Sequence, residues 1–191
     1  VIIRLFIIIL EGFMNYCSEC RTPVSLKIPE GDNRLRFVCP NCNTVHYQNP
    51  LVIVGVLPEY NQQILLCKRA IEPQKGRWTL PAGFMENDES TLEGALRECQ
   101  EEAHASVTEP TLYALYDIPY INQVYLFYRA KLANLDFGPS AESTEVALFD
   151  ERDIPWDELA FPVVTAVIKR FLSDRKKDHF EVFNDVIKRR K

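Results

Sequence analysis

Apolar positions along this chain fall into two periods, and the changes from one to the other outline its elements. Leu92, Ala95, Leu96, Cys99 and Ala103 recur at helical spacing behind Ser90-Thr-Leu-Glu93, whose Ser and Glu form a capping box. A helix from Ser90 to about Ala103 is expected, with that stripe on a core. Phe161–Leu172 reads as a second packed helix. Strand-like runs occur at Val52–Leu57 and Ile64–Arg69, around a Tyr60-Asn-Gln-Gln turn, and again at Leu112–Tyr116, Val124–Lys131 and Val146–Phe149. Nearer the start, Val24–Ile28 and Arg34–Val38 alternate like the arms of a hairpin, with Glu30-Gly-Asp-Asn33 between them.

The first helix carries chemistry on its polar side. Glu98, Glu101 and Glu102 are three and four residues apart and so share a face, where like charges oppose helix formation by a few tenths of a kcal/mol, roughly, per pair. Hard divalent cations bound through carboxylate oxygens would remove that penalty, and Mg²⁺ typically takes one or two carboxylates plus substrate phosphates. A solvated acidic face is the ordinary alternative for an isolated run of Glu. Here the acids sit in a longer pattern: Gly83, Glu89, Arg97, Glu98, Glu101 and Glu102 are spaced G-x5-E-x7-R-E-φ-x-E-E, behind Gly76-Arg-Trp-Thr-Leu-Pro-Ala-Gly83. Gly94 interrupts the helix one turn before Glu98, either to leave room for a phosphate or for tight packing.

Cysteine spacing adds a second module. Cys17-x2-Cys20 and Cys39-x2-Cys42, 18 residues apart, have the four-thiolate arrangement of a structural zinc ribbon, with paired disulfides as the weaker alternative. Four Cys ligands leave no open position, so this zinc is expected to be structural. Two further cysteines, Cys67 and Cys99, in strand and helix positions suggest a reducing, cytoplasmic setting. Residues 14–48 offer Arg21, Lys27, Arg34 and Arg36 against Glu19, Glu30 and Asp32, and the whole chain has a net charge of −5. That balance argues against nucleic acid as a general partner. Apolar content of 47% supports a full core. Val1–Phe13 is too short to span a bilayer and lacks the marks of a signal peptide, so no membrane is expected. Met14 is read as the natural start, with residues 1–13 as an extension. The basic end, Lys188-Arg-Arg-Lys191, reads as solvated.

The loop and helix pattern resembles the signature of the Nudix hydrolases, metal-dependent enzymes that hydrolyse a nucleoside diphosphate linked to another group. Residues 83–105 match it except at His104, where the family has Gly. The resemblance implies an α/β/α sandwich with a mixed sheet over residues 47–175, after a zinc ribbon at 14–46 and before a helical tail at 176–191. It also implies Mg²⁺ or Mn²⁺ on Glu98, Glu102 and the Ala82 carbonyl, with Glu101 assisting. Gly83, Glu89 and Arg97 would be structural, Arg97 pairing with Glu89. Glu142, or failing that Glu145, is similar in placement to the late Glu residues used as ligand or base, and His104 is a minor candidate for either role. A ribbon before this signature resembles the NADH pyrophosphatase branch, and more closely a group acting on FAD or ADP-ribose. The S-Q-P-W-P-F-P-Q-S run of the NADH branch is replaced here by Leu115-Tyr-Asp-Ile-Pro-Tyr-Ile-Asn-Gln-Val124. Tyr120 and Gln123 fall in that specificity loop, Phe84 is placed to stack on a ring, and Arg69 to reach a phosphate. The implied function is cleavage of a small ADP-containing dinucleotide into AMP and a second monoester, by a homodimer. Removal of a dinucleotide cap from RNA and a non-catalytic ligand sensor are the alternatives.

Overall fold

A computed structural model describes residues 14–189, so the expectation for Val1–Phe13 lies outside the described residues. The chain divides into two units between Pro50 and Leu51, a little beyond the expected boundary at residues 46 and 47.

The first unit is a three-stranded antiparallel sheet, β1 (Ser25–Lys27), β2 (Arg36–Val38) and β3 (Val45–His46), in that order. Register places Leu26 opposite Phe37 and Phe37 opposite His46. Two near-identical knuckles flank the hairpin. Cys17 N–H donates to Thr22 O and Cys39 N–H to Thr44 O, both at 2.9 Å, and Arg21 and Asn43 take the left-handed conformation that closes each turn. Among the described residues of this unit the buried hydrophobic ones are Cys17, Val38 and Cys39, too few to form a core.

The second unit is built on β4 (Leu51–Tyr60) and β9 (Gln123–Leu132), paired in parallel from Leu51↔Gln123 to Glu59↔Lys131. Outward from this pair run β8 (Val107–Ile118), antiparallel to β9, and β11 (Phe183–Val186), parallel to β8. The other edge of β4 is shared: its end meets β5 (Gln63–Arg69) and its start meets β7 (Ala82–Phe84). β10 (Ser143–Phe149) and β6 (Trp78–Thr79) both pair with β5.

Alternation along β5 assigns the two faces of this mixed sheet. Ile64 and Leu66 pack with Val163, Val167, Ile168 and Phe171 of α2 (Pro162–Lys177), whereas Leu65 and Cys67 pack with Ala95, Cys99 and Ala103 of α1 (Thr91–Ala103). The result is an α/β/α sandwich, with the stripe of α1 buried as its spacing requires.

The expected helical tail at 176–191 is corrected. The helix ends at Lys177, because Asp178 turns left-handed and returns its N–H to the carbonyls of Arg175 and Asp174. A short strand, β11, follows. Phe180 and Phe183 then pack edge-on against Tyr113, with the Arg129 and Arg170 guanidinium groups 4.2 and 4.6 Å over their rings. Partly buried aromatic contact therefore replaces helix continuation. No helix among the described residues is long and apolar enough to cross a membrane.

Candidate active site

The site is assembled where β4 changes partner. Gly55 makes this possible: a Cβ there would lie 2.4 Å from Ala82 Cβ and 2.7 Å from Pro81 O. Without it, β7 lies flat on β4, and Val56 N–H donates to Pro81 O at 3.0 Å. The next loop leads into α1, whose start carries both bonds of the capping box. Glu93 N–H reaches Ser90 Oγ at 3.2 Å, and Ser90 N–H reaches Glu93 Oε2 at 2.8 Å. At the other end His104 sits at φ 50° and is solvent-exposed, serving as the left-handed cap usually filled by Gly.

Between those ends α1 directs Glu98 and Glu102 inward, at 8% and 4% exposure. One Glu102 oxygen accepts the Ala82 N–H at 2.9 Å. Burial pushes its carboxyl up to about 8; Glu98 and Glu142 add to the rise, and the Ala82 N–H and Arg69 oppose it. Glu98 is raised by burial too, against the pull of Arg97, with Glu101 and Glu142 again contributing. Arg97 pairs with Glu98 and Arg69 opposes the rise at Glu102, yet burial keeps both carboxyls raised, an environment that a divalent cation would complete.

The folded pKa of Glu102 lies above that of an unfolded glutamate, so stability linked to it is complete below the ordinary carboxylate range. It is lost as pH rises through about 8. In buffer without divalent cations the melting temperature should therefore fall across this window. Added Mg²⁺ or Mn²⁺ should raise it more at about pH 8.5 than at about pH 5.5. Equal shifts at both pH values would refute cation binding at these carboxylates.

Arg97 is fully engaged by protein groups. Its Nε and Nη2 form a fork on Glu89 at 3.0 and 2.8 Å, Nη1 donates to Glu98 at 2.7 Å and Glu101 at 3.0 Å, and Nη2 also reaches Phe84 O at 3.1 Å. Hydrogen bonds from Arg97, and then from Glu86 N–H, hold the Glu89 carboxyl down at about 2. Gly94 now has a reason: a Cβ there would lie 2.5 Å from Glu89 Oε1 and 2.9 Å from Val54 Cγ2. It makes room for Glu89, not for a phosphate.

Gly83 is required by a different neighbour. A Cβ at this position would fall 2.4 Å from the Glu98 carboxylate. Gly83→Ala should displace Glu98 and lower turnover by about a hundredfold, on the scale of losing one aligned catalytic contact. Unchanged kinetics in this variant would show that the Glu98 position does not matter.

The two late glutamates part company. Glu142 precedes β10, its carbonyl accepts Ala70 N–H at 2.7 Å, and its charge acts on both Glu98 and Glu102. Glu145 lies within β10 and pairs with Lys68 at 3.3 Å on the neighbouring strand. Glu101 is half exposed and held only by Arg97.

Across the site Arg69 is buried, donates to Pro73 O at 2.8 Å and stacks 5.2 Å over the Phe161 ring. Its charge reaches Glu102 on one side and Tyr125 on the other. Tyr125 donates to Gln123 Oε1 at 3.0 Å, and burial pushes its phenol up to about 12, opposed by Arg69 and reinforced by Tyr120. Gln123 is buried, whereas Tyr120 and Phe84 are exposed, so Phe84 is not a core aromatic. Tyr125 and Phe161 escape sequence reasoning, since an aromatic on a strand or before a helix reads as core. Only their position opposite Arg69 singles them out.

In the ribbon, the Sγ atoms of Cys17, Cys20, Cys39 and Cys42 all lie within 4.8 Å of one another. Three of the separations are 3.4, 3.5 and 3.6 Å, near the edge of about 3.8 Å for a tetrahedron with Zn–S bonds of about 2.3 Å. The Thr22 hydroxyl lowers the Cys20 thiol to about 6 and the Thr44 hydroxyl lowers that of Cys42, whereas Cys39, despite the Cys42 N–H, is pushed up to about 11 by burial and its thiol neighbours. All six cysteines are free of disulfides. Among the described residues the carboxylates are not drawn together as these thiols are.

An α/β/α sandwich presenting acids from one capped helix beside a glycine loop defines a class that comparison identifies. The NUDIX domain family matches residues 49–171 and the Nudix N-terminal zinc ribbon residues 15–48, so this chain belongs to the Nudix family. It is similar to an ADP-ribose pyrophosphatase of Methanocaldococcus jannaschii, 31% identical over 60% of this chain and 69% of that protein. It is also similar to an NAD-capped RNA hydrolase, NudC, of Stutzerimonas stutzeri, 26% identical over 69% of this chain, and there it spans 46% of the relative's length. A crystal structure of a NUDIX hydrolase from Nitrosomonas europaea superposes with a TM-score of 0.88 at 51% identity, over 92% of this chain and all of that one.

Proposed function

We propose that this protein hydrolyses the diphosphate of an ADP-containing dinucleotide such as FAD, NAD(H) or ADP-ribose, releasing AMP and a second phosphate monoester. The observation that carries this reading is the buried Glu98 and Glu102 pair, raised further by the charge of Glu142, with Arg97 fixing the helix to its loop. Glu98, Glu102, Glu142 and the Ala82 carbonyl are the groups that would hold Mg²⁺ or Mn²⁺. Such cations neutralise non-bridging oxygens and acidify water.

The side chains then have separate tasks. Glu142 takes a proton from the attacking water, the water oxygen bonds to one phosphorus, and the bridging P–O bond breaks to leave two monoesters. Arg69, anchored on Phe161 and Pro73 O, offers a fixed positive charge for a phosphate. Phe84 and Tyr120 offer exposed rings for stacking. Glu145, tied to Lys68, is set aside as base in favour of Glu142. A homodimer and a cytoplasmic setting complete the reading, on the strength of family resemblance and of the free cysteines respectively.

The test is AMP release from FAD, NADH and ADP-ribose with Mg²⁺ or Mn²⁺. Metal-dependent turnover of at least one is expected. Saturable binding without turnover of any would instead identify a sensor. The name of the Stutzerimonas stutzeri relative favours a second reading, hydrolysis of the same bond at an RNA 5′ end. Turnover of capped RNA well above that of the free dinucleotides would select it.

A further inference from the structure

A cleft of about 480 Å³ opens beside the candidate active site, within the usual size range of ligand pockets. Three separate segments wall it: Tyr120 from the turn between β8 and β9, Pro162 and Ala166 from the first turns of α2, and Val186 and Ile187 from the end of β11. Its charge is one-sided. Lys169 and Lys188 line it, no carboxylate does, and neither lysine has an ion-pair partner among the described residues. Lys169 is instead steadied by the Trp156 ring, 5.5 Å away. In a chain of net charge −5 this is a local reversal.

The cleft continues the active site. Ala70 N–H donates to Glu142 O at 2.7 Å, and the adjoining Arg69 places its guanidinium 5.2 Å over the Phe161 ring. Phe161 in turn immediately precedes Pro162 of the cleft wall. An exposed phenol ring, apolar walls and two free ammonium groups suit a flat aromatic ring bearing a phosphate. Among its described lining residues the neutral polar side-chain groups are the Tyr120 and Thr165 hydroxyls.

We propose that this cleft is the subsite for the non-adenine half of a two-ring dinucleotide, a planar aromatic ring with one phosphate. This rests on the diphosphate-hydrolase reading of the neighbouring carboxylates. Val186, Ile187 and Lys188 lie beyond residue 171, where the family match ends. Preference between two-ring substrates and ADP-ribose is therefore set partly by a segment outside the common domain.

Titration of the full-length zinc-loaded protein with FMN, and separately with AMP, tests the cleft without turnover. FMN should saturate. Ala166→Phe, which fills the cleft, should weaken FMN by about tenfold or more. Lys188→Glu, an exposed change that leaves folding intact, should weaken it in a salt-dependent way. Absence of FMN binding, binding of AMP alone, or FMN binding unaltered in both variants would overturn the proposal. AMP release from FAD and ADP-ribose supplies the second arm. In Ala166→Phe the ratio of kcat/KM for FAD to that for ADP-ribose should fall about tenfold. An equal fall for both would put the shared adenosine half in the cleft and overturn the assignment. If wild type binds FMN but hydrolyses no substrate, the diphosphate reading fails and the ring site stands.

Discussion

Glu102→Gln should abolish most turnover of ADP-ribose while leaving the fold intact. The carboxamide keeps an oxygen for the Ala82 N–H, so the link between α1 and β7 survives. What disappears is the charge, in a place where burial makes charge most effective. Loss of one preorganised charged group of this kind typically costs two to three orders of magnitude in kcat, roughly. Stability should move the other way. Without cations at about pH 8.5 the wild type ionises a buried carboxylate and the variant does not, so its melting temperature should equal or exceed that of wild type. Steady-state kinetics beside a thermal melt would check both. A variant with near-normal kcat would remove Glu102 from the chemistry, and one that failed to fold would give it a purely structural role.

The second large effect concerns the ribbon. Removing zinc, or replacing Cys39 by Ser, should unfold residues 17–46. Among its described residues this unit buries Cys17, Val38 and Cys39 and little else, so metal binding is expected to supply folding free energy on the order of 10 kcal/mol. Metal analysis should find one zinc per chain. Hydrogen exchange should then show the amides of Cys39 and Asn43, bonded within the second knuckle, losing protection on zinc removal. The paired amides of β4 and β9 should stay protected. Persistent protection in the knuckles of zinc-free protein would refute the assignment.

Most of the frame was legible because its signals are local. The capping box at Ser90 and the stripe through Ala103 mark α1 from end to end, and the runs at Val52–Leu57 and Ile64–Arg69 lie inside β4 and β5. β7 was hidden, since Ala82-Gly-Phe84 reads as loop and becomes a strand only against Gly55. β11 was hidden for a related reason. Four residues including an Asp carry weak strand propensity, and their partner, β8, lies far back in the chain. In the site, Glu142 and Glu145 are three residues apart and alike on paper. β10 starting at Ser143 separates them, because a strand sends Glu145 along the sheet to Lys68. The role of Gly94 was ambiguous until the position of Glu89 was known. Tyr125 matters because it lies within reach of the Arg69 charge, which no spacing encodes.

β11 has a further consequence, for solubility. Without it, β8 would present Ala114–Asp117 as a bare edge beside the aromatic rings of Tyr113 and Tyr116, a template for strand addition between molecules. β11 occupies that edge and offers a poorer one in its place. It is four residues long, and the Asp185 carboxylate already accepts the Val186 N–H at 2.7 Å, so an incoming strand finds that donor taken. β11 thus blunts this stretch of the β8 edge against strand addition.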